Sequence, residues 1–381
     1  MTLDVGMLGY RFMGKAHSNA LDRLPMFFPD APETNRDVLV GRDEEALAEA
    51  ADTLGFDRIA TDWRDVVDEV DVFYNLAPNH VHPEPSVAAL EAGTPVFCEK
   101  PLAPTLEAAE EMATAAADAA VPAGVAFNYR FVPALRYARN LIRAGELGEI
   151  YHFRGKYLQD WLVDPEAPWS WRNDEEMAGS GALGDLGAHT IDLARFLIGD
   201  AAGEVDRVSG HLRTFVEERP VDSGGGSLES DGADAAETRA VTVDDAYSAL
   251  AEFENGAMGT FEASRFANGY KNDHAIEIEG SRGSLRFDLE RLNELEVRLD
   301  GNRGFETILV TDADDPYVEH WWPPGHVLGW EHLFVHENYE FLSAIAEGSA
   351  YEPNFGDGVA VQRVLAAIER SDERGEWVSV E

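Results

Sequence analysis

Two short stretches hold the side chains best suited to chemistry. Glu99-Lys100-Pro101 directly follows the apolar run Pro95-Val96-Phe97-Cys98. A lysine there can hydrogen-bond a substrate oxygen and stabilise negative charge developing on it; beside Glu99 it can also form a structural ion pair. The chain has only four lysines, Lys15, Lys100, Lys156 and Lys271, so one kept directly after an apolar strand favours chemistry. Asp185 and His189 stand four apart on a predicted helix entered through Gly181-Ala182-Leu183-Gly184, and so share a face. Histidine titrates near neutrality and can accept or return a proton, while Asp185 can orient the ring or bind a substrate hydroxyl. The same pair also suits a plain helix-surface contact or a metal ion. The lone Cys98 excludes an intrachain disulfide and any cysteine-clustered metal site, and no metal is expected.

A third stretch, Gly6-Met7-Leu8-Gly9-Tyr10-Arg11-Phe12-Met13-Gly14, joins the first predicted strand to the first helix. It approximates a dinucleotide fingerprint, with Gly9 making the tight turn and Gly14 allowing close helix–strand approach. Arg11 stands where the middle glycine belongs; it either lies over the pyrophosphate or points to solvent. Backbone N–H groups at Arg11, Phe12 and Met13 suit an anion at the helix start. After the second strand, Gly41-Arg42-Asp43 places Arg42 where a 2′-phosphate would sit, which leans the cofactor toward NADP over NAD. Alternatively Arg42 caps the sheet edge or stacks on adenine.

These residues need a scaffold, and the first third supplies one by alternation. Strand patterns at 3–8, 37–41, 70–75 and 95–98 are interleaved with helical patterns at 13–24, 44–54, 83–92 and 105–120. That rhythm predicts an α/β, doubly wound parallel sheet over 1–124. After Gly124 the helices 133–143 and 182–197 mix with longer alternating strands at 150–158, 246–254, 259–263 and 275–279, expected to be antiparallel. Residues 125–381 are therefore read as a second, substrate-binding and oligomerising α/β domain. Its Gly/Ser/Asp/Glu-rich stretch near 217–242 is expected to be a flexible acidic loop outside the core.

Composition narrows the partners. With 72 acidic and 30 basic residues the net charge is −42, which repels nucleic acid and anionic membrane alike. The balance resembles that of proteins from salt-loving microbes. No apolar run reaches the roughly 20 residues of a membrane span, and the sequence starts on a strand pattern without a basic leader. A cytoplasmic protein is expected.

Taken with the N-terminal loop, Ala77-Pro78-Asn79-His80-Val81-His82, Glu99-Lys100-Pro101 and Gly181 to His189 resemble the Gfo/Idh/MocA family in order and spacing. The resemblance implies a Rossmann domain followed by an α/β domain with an open, mainly antiparallel sheet. It implies catalytic roles for Lys100 and His189 with support from Asp185, and places Pro78, Asn79 and His82 at the nicotinamide end of the cofactor, beside Glu99 and Lys100. His82 read by itself suits a helix-start residue before Pro83 equally well. The expected reaction is hydride transfer between NAD(P) and a secondary alcohol of a sugar, sugar acid or cyclitol. A redox-neutral glycosidase with retained NAD and a non-catalytic dinucleotide sensor are the rivals.

Aromatic faces beside polar donors suit a polyhydroxylated ring. Arg130 in Asn128-Tyr129-Arg130-Phe131, Gln159 between Tyr157 and Trp161, Arg172 after Trp169 and Trp171, and His326 after Trp321-Trp322 are the substrate-facing candidates. Tryptophans more often fill cores or interfaces, and His332 and His336 read as structural. An exposed sheet face predicts a homodimer or homotetramer.

Overall fold

The computed structural model describes residues 2–221 and 237–381. Alternation in the first third builds six strands: β1 (Thr2–Leu8), β2 (Glu33–Val40), β3 (Arg58–Ala60), β4 (Val72–Asn75), β5 (Val96–Cys98) and β6 (Ala123–Val125). They lie in the order β3-β2-β1-β4-β5-β6, and every neighbouring pair is parallel. The order reverses between β1 and β4, whose carboxyl ends are where ligands of such sheets bind. Every residue of β4 and β5 is buried, as a parallel strand covered on both faces requires.

Helices α1 (Phe12–Phe27), α2 (Glu44–Leu54), α3 (Pro83–Glu91) and α4 (Leu106–Ala119) return the chain between strands. Asp43 caps α2, its carboxylate accepting the Ala46 N–H at 3.2 Å, and Thr105 caps α4. Helix α1 runs three residues past the expected end at 24, with Pro25 inside its last turn.

The later part contains α5 (Pro133–Arg143), β7 (Ile150–Leu158), α6 (Glu175–Ala178), α7 (Ala188–Ala202), β8 (Val205–Arg213), β9 (Glu218–Pro220), β10 (Thr238–Ala240) and β11 (Ala246–Phe253). Then come β12 (Met258–Ser264), β13 (Asp273–Gly280), β14 (Ser284–Asp288), β15 (Glu294–Arg298), β16 (Glu306–Leu309), α8 (Glu331–Glu347), α9 (Phe355–Arg374) and β17 (Val378–Ser379). Nine strands form one sheet, β16-β15-β14-β13-β7-β12-β11-β8-β17. The antiparallel expectation holds except at β7–β12, which run parallel. In β11, Tyr247, Ala249, Ala251 and Phe253 are buried while Ser248 and Leu250 are exposed. That alternation marks one packed face and one open face. Helix α7 covers the packed face, with Thr190 against Gly155 of β7.

Two expectations about boundaries change. The compact units are 1–132 with 317–360, and 133–316 with 361–381, in place of a single division at 124. The reason lies in α8, which packs along α1 and joins the first unit's core through Phe334, Phe341 and Leu342. The stretch 217–242 is anchored at both ends: β9 and β10 pair antiparallel. Arg219, fully buried, donates to the carbonyls of Leu162 and Asp164 at 2.7 and 2.8 Å. The remainder of the predicted loop, 222–236, lies outside the described residues. Among the described residues no helix is long and apolar enough to cross a membrane.

Candidate active site

The first unit carries the Gly-containing loop and Lys100. Gly9 has φ +105°, and a Cβ there would lie 2.6 Å from the Leu76 carbonyl oxygen; only glycine allows β1 to turn this closely against the end of β4. A Cβ on Gly14 would lie 2.5 Å from the Gly9 oxygen, so the opening turn of α1 sits directly on the loop. Arg11 stands at the helix N-cap without a side-chain capping bond, and no acid occupies the first turn. The N–H groups at this end therefore have neither a preceding carbonyl nor a cap. They fit an anionic pyrophosphate at the switch point of the sheet.

Around that end, Arg11 is exposed, with its guanidinium 5.9 Å from the Tyr10 ring centre. Phe12 is exposed and stacks on Trp330 at 5.7 Å, and Met13 packs against the core. Arg42 is exposed, and Asp43 beside it is engaged as the α2 cap.

After β4, Pro78 leads into a single helical turn, Asn79–Val81, that delivers His82 to α3. His82 is fully buried, and its ring bridges two loops. Nε2 lies 2.8 Å from the Ala77 carbonyl, and Nδ1 lies 3.1 Å from the Pro101 carbonyl and 3.3 Å from that of Leu102. Burial holds its pKa below the ordinary histidine value against the pull of those carbonyls and Glu99. His82 thus ties the segment after Lys100 to the segment after β4. On the other side, the Glu99 carboxylate accepts the Lys100 backbone N–H at 3.1 Å.

The second unit carries Asp185 and His189. A π-helical turn, Leu183–Gly187, runs straight into α7. Asp185 therefore occupies a widened turn, not a regular α-helix, a feature frequent at functional sites. His189, almost buried, follows at the second position of α7. Asp244, also buried, fixes the entry to this turn: its two carboxylate oxygens accept the N–H groups of Gly181 at 2.7 Å and Leu183 at 2.9 Å. Burial raises the Asp244 pKa, opposed by Arg265 and by those N–H groups. Arg265 donates to the Asp244 carbonyl at 2.7 Å and lies 3.8 Å from Asp245.

Beside His189 the sheet supplies a ring of aromatic and amide groups. Tyr157 stacks on His274 at 4.4 Å, and the His189 ring centre lies 6.0 Å from Tyr157 and 6.5 Å from His274. Thr190 and His274 Nε2 share a hydrogen bond of 3.1 Å, and burial pushes the His274 pKa down to about 3. The Tyr157 hydroxyl and the Gln159 amide both donate to Asn272 Oδ1 at 2.7 Å, and the Trp161 indole donates to Gln159 Oε1 at 2.8 Å. The structure thus groups Gln159 with Tyr157 and Trp161 as expected and adds Asn272, His274 and Asp244. No local motif marks those three.

The remaining substrate candidates are placed differently. Arg172 stacks on Trp171 at 4.4 Å. Arg130 is buried, 3.4 Å from Asp357. Exposed His326 has Nδ1 2.6 Å from the Pro323 carbonyl. Trp321, which precedes His326 in sequence, lies in the first unit's core, where its indole donates to His336 at 2.8 Å.

Comparison with known proteins agrees with this architecture. Residues 3–127 match the oxidoreductase family model with an NAD-binding Rossmann fold, and residues 135–286 match the GFO/IDH/MocA C-terminal domain. Levoglucosan dehydrogenase from Pseudarthrobacter phenanthrenivorans is 42% identical, over 99% of this chain and 98% of that enzyme. Inositol 2-dehydrogenase from Rhizobium meliloti is 25% identical over the full length of both. Among solved structures, an oxidoreductase domain protein from Kribbella flavida is 48% identical with a TM-score of 0.93, each chain fully covered. A levoglucosan dehydrogenase complex with NADH and levoglucosan is 41% identical, also with a TM-score of 0.93 and full coverage of both chains. The N-terminal unit is thus an NAD-binding domain, and the lean toward NADP drawn from Arg42 finds no support. The chain belongs to the Gfo/Idh/MocA family of oxidoreductases, with sugar and cyclitol dehydrogenases among its relatives.

Proposed function

We propose that this enzyme oxidises a secondary alcohol of an anhydrosugar of the levoglucosan type, with NAD as hydride acceptor. The observation that carries the reading is end-to-end likeness to levoglucosan dehydrogenase in a chain that presents Lys100, Asp185 and His189 in order. A dinucleotide held by its pyrophosphate at the β1–α1 turn would supply, in its nicotinamide ring, the acceptor for the carbinol hydride.

The chain's own residues handle the proton and the charge. Lys100 donates a hydrogen bond to the carbinol oxygen and stabilises the negative charge that builds there as the C–H bond breaks. His189 takes the hydroxyl proton during oxidation and returns it during reduction. Asp185 orients that imidazole or holds a second substrate hydroxyl. Gln159 and Arg172, each beside an aromatic face, are the proposed contacts for the sugar rim.

The test is a spectrophotometric screen of levoglucosan, free sugars, sugar acids and cyclitols with NAD⁺ and NADP⁺. Levoglucosan with NAD⁺ is expected to give one NADH per product ketone. Product without net NADH would establish the retained-cofactor glycosidase instead, and cofactor binding without turnover on any polyol would establish a sensor.

A further inference from the structure

Beneath Lys100 lies a buried polar chain that the reaction scheme does not use. His17 of α1 is fully buried among the rings of Tyr74, Phe97 and Phe334. Its Nδ1 lies 3.0 Å from the Asn338 amide nitrogen, which also donates to the Phe334 carbonyl at 2.6 Å. The Tyr74 hydroxyl donates to Asn338 Oδ1 at 2.8 Å. Those two bonds fix which end of the amide is nitrogen, so Nδ1 of His17 must accept and Nε2 must carry the hydrogen. Nε2 faces Glu99 Oε1 at 3.4 Å, and the other oxygen of Glu99 holds the Lys100 N–H.

The other titratable groups facing His17 are Glu337, 4.0 Å away and fully buried, and Tyr74. Neither oxygen of Glu337 has a hydrogen-bond partner among the described residues. Its burial and the adjacent Glu99 raise its pKa well above the ordinary value. Of the two carboxyl groups facing Nε2, Glu99 is the nearer, at 3.4 Å against 4.0 Å, and is the acceptor.

We propose that His17 is a positioning residue for Lys100, holding Glu99 so that its free oxygen fixes the Lys100 backbone. This role rests on the proposed function only for its effect on turnover. Two isosteres separate the two ends of the ring. His17→Asn can still accept from Asn338 but cannot reach Glu99, whereas His17→Gln places an amide donor near Nε2.

The experiment measures, in the full chain, amide hydrogen exchange of the peptide spanning 96–102 and steady-state turnover of levoglucosan with NAD⁺. Lys100→Met is run alongside. His17→Asn is expected to speed exchange at Lys100 and to lower kcat about 10- to 100-fold, the scale of a small misplacement of a reacting group. KM for NAD⁺ should stay within about twofold, because one fixed end of the cofactor loop is unchanged. His17→Gln is expected to restore slow exchange and most of kcat. Wild-type exchange in His17→Asn, or equal loss in both variants, would overturn the positioning role. If wild type turns over no polyol while exchange still separates Asn from Gln, the positioning role stands and the functional reading falls. If Lys100→Met is inactive while His17→Asn matches wild type in exchange and kcat, the reverse holds.

Discussion

Asp244→Asn is the sharpest perturbation of the segment that carries Asp185 and His189. The native carboxylate accepts two backbone N–H groups, from Gly181 and Leu183, at 2.7 and 2.9 Å. An asparagine keeps one acceptor and turns an amide N–H₂ toward the other donor. Losing one bond to a charged group in a buried setting costs about 1.5–3 kcal/mol. For a unit of roughly 200 residues that lowers Tm by about 3–12 °C. Loosening the π-helical turn should also lower kcat about 10- to 100-fold. KM for NAD⁺ should hold, because the β1–α1 loop belongs to the other compact unit.

The control is Asp245→Asn. Asp245 is equally buried, but its carboxylate accepts the N–H groups of Phe215 and Val216 at 2.7 and 3.2 Å. Both bonds end on Oδ2, which an asparagine oxygen can replace, so this variant should lose less stability, mainly where its amide meets Arg265 3.8 Å away, with kcat nearly intact. Thermal unfolding and steady-state kinetics on the two variants decide the matter. A kcat for Asp244→Asn no lower than that of Asp245→Asn would refute the claim that Asp244 supports the chemistry through Gly181 and Leu183.

Two further outcomes follow from charge. The excess of 42 negative charges repels itself, and a Debye length near 3 Å at about 1 M salt screens it; Tm should climb between roughly 0.1 and 2 M KCl, and a flat or falling Tm would contradict this. Burial raises the Glu369 pKa to about 7, helped by Asp244, Glu175 and Glu373. The folded chain thus retains a proton that the unfolded chain releases near the ordinary glutamate value, so this group lowers stability as pH rises from the mid-4s to about 7. Glu369→Gln should therefore raise Tm at pH 8 more than at pH 4.5, and equal shifts at the two values would be inconsistent with that assignment.

Much of the fold was legible because its signals are local. The alternation of apolar strands with Ala/Glu-rich helices showed the parallel sheet, and Gly9 and Gly14 marked its binding end. Strands β3 and β6 were missed because Arg58-Ile59-Ala60 and Ala123-Gly124-Val125 lack the unbroken run of large apolar residues that marks the equally short β5. The parallel pairing of β7 with β12 was invisible, since strands about 100 residues apart give no cue to direction. Lys100, Asp185 and His189 were proposed from their neighbours in sequence. Their supports were not: Asp244 binds backbone groups more than 60 residues away, and His17 reaches Glu99 across 82. The lean toward NADP rested on Arg42, a single charge at the end of β2, and finds no support in the NADH-bound relatives.

The assignment of Lys100 and His189 to one reaction is tested most directly by a double-mutant cycle. Lys100→Met, His189→Ala and the combined variant are compared by kcat for levoglucosan oxidation, with NADH binding followed separately by fluorescence. Groups acting as a unit are non-additive. Each single variant should lose about a thousandfold in kcat with NADH still bound, and the double should lose little more. Turnover within about tenfold of wild type in either single variant, or losses that multiply in the double, would contradict the account.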